Sequence, residues 1–145
     1  MELPQTAFGD DESVAVETVD IENGEATLRL VVEPHHIASS GVLDEGVVAT
    51  ITDLQTTYLL VAETLSRKPS RMPVSVSVSI SVQTIRPVAV GTVVEIVCTV
   101  SPDPIKPHAV AVFRSAVDPG IVFAVGRHSK QFKDMMGYAS NPGKL

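Results

Sequence analysis

One long helix followed directly by one long strand is the pattern that most constrains the fold of this chain. From residue 44 or 45 to about residue 65, apolar residues recur at helical spacing over a wide face. Residues 74–82 then alternate valine or isoleucine with serine without a break, which is the period of a half-buried strand. Since one helix cannot bury so wide a face by itself, we expect a sheet to cover it.

Six segments predict the strands of that sheet. Residues 14–20 and 25–32 flank a hairpin turn at Glu22-Asn23-Gly24, and residues 73–85, 92–100, 109–117 and 121–132 follow the helix. The order is β-β-α-β-β-β-β, and its short connections favour antiparallel neighbours. We therefore expect one α+β domain over residues 13–132, with a flexible lead-in at 1–12 and a flexible tail at 133–145.

Composition excludes several classes of function. The formal net charge of -6 argues against a broad basic surface for nucleic acid. The single cysteine, Cys98, rules out a disulfide within the chain, and its place in a strand predicts a buried apolar role. No apolar run is long enough for a membrane span, and the acidic first residues argue against a secretory leader. We expect a cytoplasmic protein without a membrane partner.

Asp53 is the strongest candidate for chemistry. At about 100° per residue, it shares a helix stripe with mostly small residues, namely Gly46, Ala49, Thr50, Thr57 and Leu60. A small stripe lets a ligand or another backbone come close, and a carboxylate held there can act as a general base on water or as a nucleophile. The alternative is an ordinary solvated aspartate on a helix face.

The helix start, residues 41–46, offers backbone N–H groups that could stabilise an oxyanion. The alternative is a plain helix cap with acids in its first turn. The serines at positions 75, 77, 79 and 81 are predicted to form one polar strip along their strand. Because no Gly-x-Ser-x-Gly elbow surrounds them, the sequence disfavours a serine hydrolase.

Histidines and basic residues give weaker signals. His35 and His36 are adjacent and point different ways, and no second pair has metal-ligand spacing, so no metal site is predicted. In Gly126-Arg127-His128-Ser129-Lys130, alternation places Arg127 and Ser129 on one face of a strand and His128 and Lys130 on the other. This group could bind a phosphate, or it could be a charged strand edge that discourages aggregation.

Four stretches of the chain resemble one known family. They are Gly41-Val42-Leu43-Asp44-Glu45-Gly46-Val47-Val48-Ala49-Thr50-Ile51-Thr52-Asp53, Val76-Ser77-Val78, Ile85-Arg86-Pro87 and Gly126-Arg127-His128-Ser129-Lys130. The chain is similar over about residues 14–132 to the hotdog-fold acyl-CoA thioesterases, in the branch of thioesterase superfamily member 2 and the phenylacetate-pathway thioesterase. The resemblance implies a long central helix wrapped by a curved antiparallel sheet of about six strands. It also implies active sites at a dimer interface, in a homodimer or homotetramer.

The same resemblance implies roles for particular residues. Asp53 matches the acid that activates water or attacks the thioester, and the backbone N–H of Glu45 matches the one that holds the carbonyl oxygen. We expect the Gly46 N–H to hold that oxygen together with it. Ser77 of the facing subunit would orient the water. The residues expected to meet the phosphates of CoA, which is part of the substrate rather than a separate cofactor, are Arg127, His128 and Lys130.

Three positions depart from the family pattern. Ala38 stands where the family has asparagine, Asp44 where it has histidine, and Glu45 where it has glycine. These departures keep a second hypothesis open, a non-catalytic protein that binds acyl-CoA or lipid. A purely structural oligomer is a third. A hydratase of the same fold is disfavoured, because the chain lacks an Asp/His pair at the spacing of those enzymes.

Overall fold

The structure, a computed structural model, describes residues 14–67, 75–101, 103 and 106–132. The predicted helix and all six strands are confirmed, with small shifts at their ends. They are β1 (Val14–Asp20), β2 (Glu25–Val31), α1 (Glu45–Arg67), β3 (Ser75–Thr84), β4 (Val93–Ser101), β5 (His108–Ser115) and β6 (Val122–Phe132). A short 3-10 turn at Pro34–His36, which the sequence did not predict, precedes α1. The expected lead-in at 1–12 and tail at 133–145 lie outside the described residues.

All six strands form one antiparallel sheet in the order β1-β2-β4-β5-β6-β3. The chain reaches β3, at the far edge, through α1, which crosses the sheet after β2. The expectation that short connections join neighbouring strands is wrong for β3 and β4, which lie apart in the sheet. Their connection instead packs against the segment before α1, where the Val88 N–H donates to the Gly41 carbonyl at 3.0 Å.

The core lies between α1 and the inner face of the sheet. Its fully buried side chains include Leu28, Leu30, Ile96 and Phe113 from the strands. From α1 it takes Val48, Ile51, Thr52, Gln55, Thr56, Leu59, Leu60, Ala62 and Glu63. Part of the predicted apolar face of the helix is only half-buried, namely Val47, Leu54, Tyr58, Val61 and Leu65. The sheet therefore covers one side of that wide face and leaves its flank open.

Cys98 belongs to this core. It is fully buried on the inner face of β4, and burial raises the pKa of its thiol to about 12. The thiolate is the reactive form of cysteine, and it is suppressed here. The predicted role of Cys98 as a small apolar residue is confirmed.

Helix α1 approaches the sheet closely at Gly126 on β6. A Cβ atom at this position would lie 2.0 Å from Thr52 Oγ1 and 2.8 Å from Thr52 Cβ. Rotating the threonine side chain does not relieve the second contact, because Cβ is fixed to the helix backbone. Only glycine permits this spacing, and the spacing sets how near the helix polar groups come to β6.

A β-bulge in β3 divides its serines between the two faces of the sheet. The pairing runs Ser77 to Lys130 and then Ser79 to Ser129, so one extra residue, Val78, lies between the two pairs. Ser77 therefore shares the inner, helix-facing side with Lys130, whereas Ser79 shares the outer side with Ser129. The prediction of a single polar strip is wrong, because the alternation of residue types continues through a point where the alternation of faces is interrupted.

We expect Gly126→Ala to destabilise the fold by about 2 kcal/mol or more, because overpacking of this kind forces backbone shifts. The free energy of unfolding from urea denaturation measures the effect. Gly120→Ala is the matched control, since a Cβ there would lie 3.4 Å from Asp118 Oδ1 in ordinary contact. Equal stability of the two variants would show that α1 does not approach β6 this closely.

Candidate active site

Asp53 lies in the middle of α1, on the side that turns towards β6. Its side chain keeps 44% of its surface exposed, and Oδ1 lies 3.6 Å from Nε2 of the fully buried His128. A carboxylate beside a buried imidazole, with one side open to solvent, can meet a small-molecule ligand. Asp53 is therefore not a simple solvated residue on a helix face.

Both ring nitrogens of His128 have partners. Nδ1 lies 2.9 Å from Thr56 Oγ1 on α1, and Nε2 lies 2.8 Å from Ser77 Oγ on β3. The ring thus bridges the helix and the edge strand. Its orientation is fixed from both ends, because β6 pairs with β3 on one side and packs under α1 on the other.

Lys130, two residues further along β6, enters the same site. It is 7% exposed, and its Nζ lies 3.3 Å from Thr57 Oγ1 and 3.4 Å from Ser77 Oγ. Two cationic or potentially cationic groups therefore surround one carboxylate. We call this group the Asp53 cluster; its members are Asp53, Thr56, Thr57, Ser77, His128 and Lys130.

The electrostatics of the Asp53 cluster favour a neutral imidazole. Burial lowers the pKa of His128, the charge of Lys130 lowers it further, and the Asp53 carboxylate opposes both effects. Burial also lowers the pKa of Lys130, and Asp53 again opposes it. Burial therefore favours the neutral ring of His128, and the Asp53 carboxylate favours the charged form of Lys130 against the effect of burial.

The start of α1 is capped by the side chain of the residue that precedes it. Asp44 Oδ1 accepts hydrogen bonds from the Gly46 N–H at 2.9 Å and the Val47 N–H at 3.2 Å. Aspartate is a favoured N-cap, because its carboxylate satisfies helix N–H groups that lack partners within the helix. The Gly46 N–H, one of the two expected oxyanion donors, is thus already bound to a carboxylate.

The structure brings some of the predicted site residues together and separates others. Asp53, Ser77, His128 and Lys130 meet in one cluster, all from the same chain, because β3 pairs with β6 beneath α1. Arg127 is exposed on the opposite face of β6. Glu45 and Gly46 are exposed at the start of the helix, about 10 Å from Asp53 at 1.5 Å per residue.

Two members of the Asp53 cluster were not predicted as site residues. Thr56 and Thr57 lie three and four positions after Asp53, which is the spacing of neighbours on a helix surface. That spacing was available in the sequence. Nothing in the sequence indicated which of the two would face the histidine, since this depends on the rotation of α1 over β6.

The site is a cluster of polar side chains. Within the part of the chain that the structure describes, no group of three or more histidine, cysteine, aspartate or glutamate residues is placed to hold a metal ion. Across the same residues, no helix combines the length and the apolar character needed to cross a membrane. The chemistry the cluster can offer is proton transfer and positioning of a polar ligand.

Because the pKa of folded His128 is lowered, its protonation opposes folding. The unfolded chain takes up this proton near pH 6.5, before the folded chain does, so the free energy of unfolding should fall as the pH decreases from about that value. We expect urea denaturation to show a smaller loss in His128→Gln than in the wild type over this range. A wild-type protein whose stability rose on acidification relative to the variant would contradict the lowered pKa.

No protein-family model matches the sequence, and no curated protein matches it. Solved structures do match the fold. Thioesterase superfamily member 2 from Mus musculus is 22% identical, with 87% of this chain and 88% of that chain covered and a TM-score of 0.68. The PaaI protein of the phenylacetic acid degradation operon of E. coli is 11% identical, with 86% of each chain covered and a TM-score of 0.65.

A third match is a hypothetical thioesterase from Streptococcus pneumoniae, solved with coenzyme A. It is 11% identical, with 88% of this chain and 91% of that chain covered and a TM-score of 0.69. At these identities the likeness establishes architecture. This chain, with one long helix packed against a six-stranded antiparallel sheet, has the hotdog fold of these thioesterase structures.

Proposed function

We propose that this protein hydrolyses acyl-CoA thioesters to the free acid and CoA. The observation that carries the proposal is the Asp53 cluster, in which a partly exposed carboxylate lies 3.6 Å from a buried histidine beside a serine hydroxyl. Its setting in a hotdog fold supports the thioester, since the structural neighbours are thioesterases and one of them was solved with coenzyme A.

Asp53 supplies the reactive carboxylate of this mechanism. It takes a proton from water while the water oxygen attacks the thioester carbonyl carbon, or it attacks that carbon itself and water then hydrolyses the resulting anhydride. Either route forms one C–O bond and breaks the C–S bond. A thiol with an ordinary pKa of about 8.5 can leave as the thiolate, so the reaction does not require a strong acid opposite Asp53.

The proposed site needs two copies of the chain. A donor must lie about 3 Å from the carbonyl oxygen, and the attacking atom about 3 Å from the carbonyl carbon. Asp53 and the helix start are about 10 Å apart on one helix, which is too far for both to serve the same carbonyl. The Glu45 and Gly46 N–H groups of one protomer would therefore serve the Asp53 of its partner.

Apolar surface supports the same dimer. Val76, Val78 and Ile80 are exposed along β3, whose outer edge lies at the end of the sheet, and a long apolar edge favours pairing with another chain. The half-buried flank of α1, including Leu54 and Tyr58, also lacks cover. We expect light scattering to give twice the chain mass or more; a monomer at assay concentrations would contradict the shared site.

Arg127 is the residue we assign to the phosphates of CoA. It is exposed on the outer face of β6, where a guanidinium can bind a phosphate through two hydrogen bonds. His128 and Lys130 were expected to join it, but they are buried beneath α1 and contact the Asp53 cluster. Their proposed part is therefore in the hydrolytic step.

Replacing the carboxylate tests the activity directly. We expect purified wild-type protein to release CoA from at least one member of a panel of short, long and aromatic acyl-CoAs. Asp53→Asn should lower kcat by about 100-fold or more, because a general base contributes roughly 10²- to 10⁴-fold. Asp118→Asn, in an exposed turn, is the matched control and should keep full activity. Unchanged turnover in Asp53→Asn would refute the proposal.

A non-catalytic acyl-CoA-binding protein is the second candidate. The observation that favours it is the hydrogen bond from the Gly46 N–H to the Asp44 carboxylate, which is 2.9 Å long. A negative charge at this place opposes the charge that develops on a thioester oxygen. This candidate predicts that CoA esters bind without being hydrolysed. Isothermal titration of a non-hydrolysable thioether analogue, beside the CoA-release assay, separates the two functions.

Asp44→Asn distinguishes a weak enzyme from a binding protein. The amide oxygen can still cap α1, so stability should change little, while the negative charge at the helix start is removed. For an enzyme limited by that charge we expect kcat to rise by about 3- to 10-fold, and Glu45→Gln serves as the matched charge control. If the protein hydrolyses thioesters and Asp44→Asn does not raise its kcat, the Asp44 carboxylate does not limit the stabilisation of the oxyanion.

A further inference from the structure

Two threonine hydroxyls in the Asp53 cluster donate hydrogen bonds to backbone carbonyl oxygens of α1. Thr56 Oγ1 lies 2.6 Å from the Thr52 carbonyl oxygen, and Thr57 Oγ1 lies 2.6 Å from the Asp53 carbonyl oxygen. A carbonyl can only accept a hydrogen bond, so each hydroxyl donates to it. Towards every other neighbour, these two oxygens can act only as acceptors.

The hydrogen bond that Thr56 donates to the helix backbone determines which nitrogen of His128 carries the proton. Nδ1 lies 2.9 Å from Thr56 Oγ1, and that oxygen has no second proton to give. Nδ1 must therefore be the donor. In a neutral ring this leaves Nε2 without a proton, as an acceptor facing Ser77 at 2.8 Å.

Lys130 sets the direction of the hydrogen bonds on the other side of the ring. An ammonium has three donors and no acceptor, so it donates to Thr57 Oγ1 at 3.3 Å and to Ser77 Oγ at 3.4 Å. Ser77 thus accepts from Lys130, and its own proton turns to Nε2. Each hydroxyl in the chain accepts one hydrogen bond and donates one.

We infer that Lys130 is a positioning residue for the hydrolytic step: Thr56 fixes the Nδ1–H tautomer of His128, and Lys130 turns the Ser77 proton towards the unprotonated Nε2. The catalytic part of this inference rests on the proposed function, whereas the state of the His128 ring does not. With Nε2 bare, the ring cannot donate to the Asp53 carboxylate 3.6 Å away. The carboxylate stays available as an acceptor for water.

The same chain restricts how a water molecule can sit in the site. Ser77 donates to His128, so towards water its oxygen can only accept, and the Asp53 carboxylate also accepts. A water bound between them donates both of its hydrogens and leaves a lone pair directed away from the two acceptors. That is the orientation required for attack on a carbonyl carbon.

Charge strengthens this role of Lys130. The charged groups that act on the ring are Asp53 from α1 and Lys130 from β6, while β3 contributes the Ser77 hydroxyl and β5 places Ala109 opposite His128. Without the ammonium, an imidazolium would be easier to form, and its Nε2–H would point at the Asp53 carboxylate. The resulting ion pair would weaken the base.

NMR of protein labelled with ¹⁵N-histidine tests the inference without any assay of activity. The wild type should show the Nδ1–H tautomer at His128 near neutral pH, assigned by the loss of its signals in His128→Gln. In Lys130→Met the titration midpoint of His128 should move upward, while the neutral ring should keep its Nδ1–H tautomer, because Thr56 fixes it. Lys130→Arg, which keeps the charge, should restore the lower midpoint, and Arg127→Met on the opposite face should leave both unchanged.

Kinetics supply the second readout. Lys130→Met should lower kcat by about 10- to 100-fold, as expected for a misplaced reacting group, with little change in KM and with the acid limb of the pH profile moved to higher pH. A wild-type ring carrying its proton on Nε2, or an unmoved His128 midpoint in Lys130→Met, would overturn the inference. The wild-type tautomer needs no variant, so the test survives if Lys130→Met fails to fold. Absence of hydrolysis by the wild type would defeat the proposed function alone.

Discussion

The approach of α1 to β6 at Gly126 is the constraint on which the rest of the site depends. Because no side chain stands between Thr52 and the β6 backbone, the next turn of the helix brings Thr56 within 2.9 Å of the His128 ring. A wider spacing would separate the imidazole from the helix and leave its Nδ1 without a partner. Glycine is required at position 126 because it lacks a Cβ atom, and not because of its conformational freedom.

The bulge in β3 complements this spacing from the other side. It turns Ser77 inward, to meet His128 and Lys130, while the serines that follow face outward. Bulges are common beside active sites because they redirect a side chain without ending the strand. Helix spacing and strand bulge together place the hydroxyl, imidazole, ammonium and carboxylate groups of one chain around a common point.

Much of the fold could be predicted from the sequence, because the helical period of α1 and the period-2 alternation in β3 identify the first as a helix and the second as a strand. The half-buried flank at Leu54 and Tyr58 could not, since periodicity indicates an apolar surface but not which partner covers it. The bulge could not be predicted either, because valine and serine alternate through it without interruption. In the site, Asp53 was identified from its helix stripe and Ser77 through family resemblance, whereas their link to Lys130 depends on strand register.

At the start of α1, the interaction that stabilises the helix opposes the proposed activity. An aspartate cap stabilises α1 by satisfying the N–H groups of Gly46 and Val47, and the Gly46 N–H is one that a thioester oxygen would need. A carboxylate there contributes to folding at the expense of oxyanion stabilisation. The Asp53 cluster contains the parts for activating water, so the balance between an enzyme and a binding protein depends on this competition.

Single-turnover hydrolysis of an acyl-CoA in ¹⁸O-water, with the protein in excess, tests the role of Asp53 most directly. We expect free acid to form, with the solvent label either in the acid, when Asp53 activates water, or in the Asp53 carboxyl group, when Asp53 attacks the thioester. Mass spectrometry of the acid and of the peptide containing Asp53 locates the label. Label in Asp53 demonstrates attack by its carboxylate, because only hydrolysis of an anhydride at the Asp53 carbonyl carbon puts solvent oxygen there. A bound acyl-CoA that yields no acid, or labelled acid formed equally fast by Asp53→Asn, would contradict the proposed chemistry.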